Sequence, residues 1–175
     1  MIHMRIRSIA LVAALLPGMA FCQSNGFDTL YLRCSVGSFK VQSFNDKSPC
    51  SGKISLSFTG SVLISGLDGP APVVTGAVHK EYEDPIHKKQ AYFGTGKIVI
   101  SGTFRNLQWF GRDMNGWFQG SGIARLYGEY DRNLNTGFFH YGNQPEQSWL
   151  YESGYTLQVP ESEHMRPKKA VSRQQ

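Results

Sequence analysis

The segment from His79 to His87 (HKEYEDPIH) holds the densest set of potential metal ligands in the chain. If it is extended, His79, Glu81 and Glu83 share one face, because side chains along a strand alternate with a period of two. Zinc sites need three or four converging ligands, and this spacing matches no recognised zinc pattern. Two interpretations therefore stay open: a metal site on His79, Glu81 and His87, or a solvated loop whose acids are balanced by nearby lysines.

Catalytic motifs are missing from the rest of the chain. Histidines that could act as general bases are present, but no Gly-x-Ser-x-Gly elbow singles out a nucleophile. A metal-dependent or hydrolytic enzyme would require His140 to converge in a cleft with His79, Glu81 or His87. The sequence gives no positive signal for an enzyme and predicts no cofactor.

Cys34 and Cys50 are sixteen residues apart, and Cys22 lies well before them. In an oxidising compartment two such cysteines are free to pair. Closing a loop of this length would stabilise the fold by roughly 3 kcal/mol. We therefore predict a Cys34–Cys50 disulfide, on the condition that the chain is exported.

Aromatic residues are concentrated between Tyr92 and Tyr155, where all three tryptophans lie. Such rings suit a β core, and they also suit a surface that binds a ligand or a partner. Adjacent rings at 109–110, 117–118 and 138–139 would point to opposite faces of a strand, so one ring of each pair should leave the core. The candidate binding residues are Trp109, Trp117, Phe118, Tyr127, Tyr130 and Trp149.

Residues 1–20 have the pattern of a secretory signal peptide. Two arginines precede an apolar run at 9–16, and small residues follow at Gly18 and Ala20. The run is shorter than the roughly 20 residues that span a bilayer. We expect cleavage between residues 20 and 24, a periplasmic or secreted protein, and no transmembrane helix in its mature form.

Alternating strands and short turns dominate residues 25–159. Lys53–Phe58 (KISLSF) and Lys97–Phe104 (KIVISGTF) place apolar residues on one face, and turn residues collect at 68–70 and 113–116. This organisation predicts an all-β fold: a single antiparallel β-barrel or a strongly curved β-sandwich. Residues 160–175 are polar and basic, and are predicted to form a disordered tail.

The charge distribution argues against nucleic-acid binding. The whole chain carries a formal charge of +5, but residues 25–159 hold 12 basic and 11 acidic residues, a net charge of +1. A nucleic-acid-binding domain would need a concentrated basic stripe.

These observations favour an exported β-domain that binds another envelope or secreted protein. Such a module should expose an aromatic patch or an unpaired sheet edge. The alternative is a calycin-like carrier of a small apolar ligand, which predicts a closed barrel with an apolar cavity. A metal-dependent or hydrolytic envelope enzyme is the second alternative.

Overall fold

The computed structural model describes residues 29–44, 48–128, 137–149 and 155–160, and these residues form strands and their connections. This confirms the all-β fold. The strands are β1 (Thr29–Gln42), β2 (Cys50–Ser65), β3 (Val73–Gly76), β4 (His79–Asp84), β5 (Lys89–Phe104), β6 (Asn106–Gly128), β7 (Gly137–Tyr141), β8 (Gln147–Ser148) and β9 (Tyr155–Val159).

All nine strands belong to one antiparallel sheet with the order β3-β5-β2-β6-β1-β7-β8, with β4 beside β5 and β9 beside β6. In the central β1–β6 pair, Leu30 lies opposite Phe118 and Val41 opposite Leu107, so the numbers of one strand fall as those of the other rise. Strands β3 and β8 stand at opposite ends of the order, and no pairing among the described strands joins those ends. The predicted barrel is therefore wrong. The predicted alternative, a sandwich, would have two layers, whereas the described strands form one open sheet.

Two rows of glycine cross the sheet at right angles to the strands. The first row is Gly69, Gly102, Gly52 and Gly120, and the second is Gly94, Gly60, Gly111 and Gly37. At Gly52, φ is +140°, and an added Cβ would stand 2.1 Å from the carbonyl oxygen of Gln119. Gly60 has the same problem at φ +152°, against the carbonyl oxygen of Phe110. Only glycine fits such positions, so each row marks a line where neighbouring backbones approach closely.

Strong curvature shows most clearly in β6. Residues 37–42 of β1 pair with 106–111 of β6 and also with 123–128 of the same strand. Because a strand has only two edges, β6 must curl around β1 and border it on both sides. The sheet thereby covers its own apolar face without closing into a barrel.

The inner face of the curled sheet forms one continuous core. Along β2 and β5 the buried side chains alternate as predicted, and Ile54 lies directly opposite Ile100. In β6 the alternation shifts between Trp109 and Met114, since both side chains are buried. Asp113, with φ +55°, lies at this irregularity. The turn expected over 113–116 is therefore wrong: these residues lie inside a long strand, in which Asp113 and Met114 form a β-bulge.

The predicted Cys34–Cys50 disulfide is also wrong, since both cysteines are free and buried. Strand β6 lies between β1 and β2, so the two cysteines are not on neighbouring strands. Cys34 is level with Met114 of β6, and the Cys50 Sγ atom packs beside Gly122. Those levels lie eight residues apart along β6, a path of about 26 Å along the strand at roughly 3.3 Å per residue. A disulfide requires Cα atoms within about 7 Å of one another.

The predicted signal peptide at 1–20 and the tail from 161 onward lie outside the described residues. Within the described ranges, no helix has the length and hydropathy that would let it cross a membrane.

Candidate functional site

The predicted metal ligands lie on and just after β4. In the pairing of β4 with β5, His79 faces Phe93 and Lys80 faces Tyr92, but the next partner, Ala91, faces Tyr82. Glu81 is thus the extra residue of a β-bulge, and the period of two is interrupted. The bulge removes the shared face expected for His79, Glu81 and Glu83.

His87 is held close to the strand end by Asp84. The Nδ1 atom of His87 is 2.6 Å from the Asp84 carboxylate, whose other oxygen accepts a hydrogen bond from the His87 backbone N–H. The backbone hydrogen bond, followed by the ring contact, lowers the pKa of Asp84. Among the described residues no group of three His, Cys, Asp or Glu side chains converges as a metal site.

His140 is not part of this region either. It lies on β7, five strand steps from β4 along the sheet order, and its ring stacks on Tyr31 with centroids 4.8 Å apart. The convergence that an enzyme with His140 and the β4 residues would need is not present in the described part of the chain.

The candidate binding aromatics divide between core and surface. The side chains of Trp109, Phe118 and Trp149 are buried, and those of Trp117 and Tyr127 are partly exposed. Tyr130 lies outside the described residues. Of the six candidates, Trp117 and Tyr127 are therefore the described side chains that can contact a partner.

Each adjacent aromatic pair sends one ring out of the core, as the alternation predicts. Phe110, Trp117 and Phe138 are at least partly exposed, and the neighbour of each is buried. This expectation is confirmed because each pair lies within a continuous strand.

The outer face of the sheet exposes a cluster of large apolar side chains, which we call the apolar panel. It consists of Leu63, Tyr82, Phe93 and Phe110, whose side chains are 45%, 52%, 48% and 43% exposed. They come from four adjacent strands, β2, β4, β5 and β6, and lie in two neighbouring rows of the register. The edge of the His79 ring contacts Phe93, with centroids 6.1 Å apart.

The panel has a basic margin on the side toward β1. One row of the register runs Tyr82, Ala91, Leu63, Gln108, Lys40 and Arg125, and the other runs His79, Phe93, Ser61, Phe110, Ser38 and Tyr127. The formally charged residues in these rows, Lys40 and Arg125, are both basic. Arg112, in the next row, is exposed and also basic. Tyr127, a predicted binding residue, ends the same row as Phe110.

A second outward cluster surrounds Arg33. Its guanidinium donates to both carboxylate oxygens of Glu146 at 3.0 and 2.8 Å, and lies 4.2 Å above the centre of the Phe138 ring. The hydrogen bond between them raises the pKa of Arg33 and lowers that of Glu146. Clefts of about 220 Å³ each lie on either side of the Arg33–Phe138 pair. Because the charges of Arg33 and Glu146 neutralise one another, we interpret this cluster as a structural contact that holds β1 to the segment after β7.

Comparisons with protein-family models, curated proteins and solved structures gave no match for this chain.

Leu63, Tyr82, Phe93 and Phe110 were not among the residues selected from the sequence. Their signal is weak because isolated apolar residues on polar strand faces are common. Only the pairing of the strands shows that the four are neighbours.

Proposed function

We propose that this chain is an exported binding module, periplasmic or secreted, that docks an envelope or secreted protein on its apolar panel. The observation that supports the proposal is the presence of four large apolar side chains, each about half exposed, on neighbouring positions of one face. Removing the remaining exposed surface of each from water contributes roughly 1 kcal/mol. Protein interfaces commonly have such an apolar centre with a polar rim.

The chemistry of the panel specifies the chemistry of its partner. An apolar centre calls for an aliphatic or aromatic surface opposite it, and the basic margin at Lys40, Arg112 and Arg125 calls for an acidic rim. Complementary charges of this kind speed association and select among partners more than they raise affinity.

The two alternatives have less support. The carrier hypothesis depended on a closed barrel, and the sheet is open. The clefts beside Arg33 and beside Lys88 are open to solvent and lined by charged side chains, unlike the apolar cavity a carrier needs. The metal-dependent form of the enzyme hypothesis lacks a converging set of metal ligands among the described residues, and His140 lies on β7, away from Asp84 and His87.

Export is supported only by the sequence of residues 1–20. The free, buried cysteines neither require nor oppose an oxidising compartment. The mass of the mature chain reports whether it is cleaved between residues 20 and 24.

Native mass spectrometry of the chain purified from an envelope fraction tests this function. We compare the wild type with the double variant Phe93→Ser/Phe110→Ser, which should lose a bound protein that the wild type retains. Both side chains face outward, so the melting temperature should change by only a few degrees.

The matched control is Val73→Ser, which removes an apolar side chain that is 63% exposed on β3, outside the panel. The control should retain the partner. Equal retention by all three proteins, or loss in the control as well, would contradict docking on the panel.

A further inference from the structure

The hairpin that joins β4 to β5 presents an unusual tip. Asp84 pairs with Lys89, so residues 85–88 (Pro-Ile-His-Lys) form its loop. Ile86 is 88% exposed, more than any other large apolar side chain among the described residues. Three basic residues, His87, Lys88 and Lys89, follow it directly.

An open cleft of about 630 Å³ lies under this tip. It is lined by Ser65, Gly66, Ile86, His87, Lys88, Lys89, Arg105 and Asn106. No acidic side chain is among the described residues that line it. Lys88, Lys89 and Arg105 make no salt bridge with any described residue, unlike Lys80, which pairs with Glu83. Among the described residues, Lys88, Lys89 and Arg105 therefore have no acidic partner, and the cleft has room for an anionic headgroup.

Lys88 occupies a backbone conformation that normally selects glycine. Its φ is +51°, and a side chain in this region costs about 1 kcal/mol or more. The conformation is held by a 2.8 Å hydrogen bond in which the backbone N–H of Gly66 donates to the carbonyl oxygen of Lys88. A lysine at a position where glycine would be more stable suggests that its charge is used.

We propose that this tip binds an anionic lipid surface. The phosphate of a lipid headgroup enters the cleft between Lys88, Lys89 and Arg105, and Ile86 inserts at the boundary of the acyl chains. An apolar side chain beside several cations is the combination that binds interfacial segments to anionic membranes. A soluble phosphate would account for the cations but would leave Ile86 exposed.

The lipid site is separate from the function proposed above. The tip lies at the ends of β4 and β5, whereas the apolar panel lies on the face of the sheet. A membrane at the strand ends would leave the face accessible, so both surfaces can be occupied at once. Failure of either proposal leaves the other intact.

Sedimentation with vesicles tests the lipid site in the full chain. Vesicles of phosphatidylcholine with phosphatidylglycerol should bind the protein at low salt, and vesicles of phosphatidylcholine alone should not. Each cation near an anionic surface changes affinity by about fivefold, so Lys88→Gln/Lys89→Gln should weaken binding by about 25-fold. The control Lys53→Gln/Lys97→Gln has the same net charge but alters exposed lysines elsewhere on the sheet, and should bind like the wild type within a factor of about three.

Two further variants separate recognition from folding. Lys88→Gly should keep or raise the melting temperature, because it relieves the left-handed backbone, and should still weaken vesicle binding about fivefold. Ile86→Trp should show a blue-shifted emission with anionic vesicles, and Val73→Trp should not.

Four outcomes would overturn the proposal. The first is no vesicle binding by the wild type, and the second is equal loss in the tip and control variants. In the third, pyrophosphate binds with the same dependence on Lys88 and Lys89 while vesicles do not bind. That result would assign the cleft to a soluble phosphate. Binding of an acidic polypeptide without vesicle binding would likewise replace the lipid with a protein ligand.

Discussion

At the scale of the residue, burial controls the acidity and the reactivity of the two thiols. Burial raises the pKa of both Cys34 and Cys50 to about 11. The Cys34 Sγ–H group also donates to the carbonyl oxygen of Val36 at 2.8 Å. Since the thiolate is the reactive form, both cysteines should resist oxidation and alkylation at neutral pH while the chain is folded.

The raised pKa of these two thiols also predicts that the stability of the fold depends on pH. Between the unfolded pKa near 9 and the folded pKa of about 11, the unfolded chain releases a proton that the folded chain retains. Their contribution is therefore intact below pH 9 and is lost as the pH rises through the folded pKa, by roughly 2 kcal/mol per thiol at pH 11. Urea unfolding measured from pH 8 to 11 should show this fall. A Cys34→Ala/Cys50→Ala variant should show a smaller slope, and an unchanged slope would contradict the assignment.

Single-residue bulges also explain where predictions from the sequence failed. Alternation correctly placed the inward residues of β2 and β5, because those strands are regular over long stretches. It failed at Glu81, where an extra residue shifts the faces, and the turn predicted at 113–116 contains a second such bulge. A bulge has no fixed composition, so the faces beyond it can be assigned only from the pairing of the strands.

At the scale of the element, the two glycine rows cross the interiors of β2, β5 and β6. Glycine is common in loops, yet Gly94 and Gly102 of these rows lie inside β5. Their partners on other strands are distant in sequence, so rows of glycine become visible only once the register is known. For the same reason a single sequence does not distinguish a curled open sheet from a barrel.

The glycine rows predict that replacing one of their glycines with alanine destabilises the fold. Gly52→Ala and Gly60→Ala each place a Cβ about 2.1 Å from a neighbouring carbonyl oxygen, in a conformation essentially restricted to glycine. Each should destabilise the fold by at least about 2 kcal/mol, which thermal unfolding followed by circular dichroism would detect. Ser51→Ala and Ser61→Ala, at the adjacent positions, already have a Cβ and should change stability by less than about 1 kcal/mol. Similar melting temperatures for the glycine and serine variants would contradict the role of the rows.

Strand β4 shows that amino-acid composition alone does not identify a strand. Its sequence HKEYED is the most charged part of residues 25–159, so the sequence favoured a loop or a metal site there. In the structure it is an exposed strand at the border of the sheet, and its side chains are mostly in water. Charged residues are a common device on edge strands because they oppose edge-to-edge association.

At the scale of the whole molecule, the curled sheet has three distinct parts. The inner face forms the core, the outer face presents the apolar panel, and the end of the β4–β5 hairpin presents the cations. The fold class and antiparallel pairing could be predicted from strand patterns, but the panel could not, because it depends on side chains from four strands. A module that holds a membrane at one end and a protein on its face would act as a local tether.

Photocrosslinking in intact cells tests the central claim, that the apolar panel is the docking surface, most directly. A photoreactive phenylalanine analogue is introduced in place of Phe110, and in a matched experiment in place of Val73. The account predicts one discrete crosslinked protein at position 110, which disappears with Phe93→Ser, and no such product at position 73. Absence of a crosslink at position 110, or the same product from both positions, would contradict it.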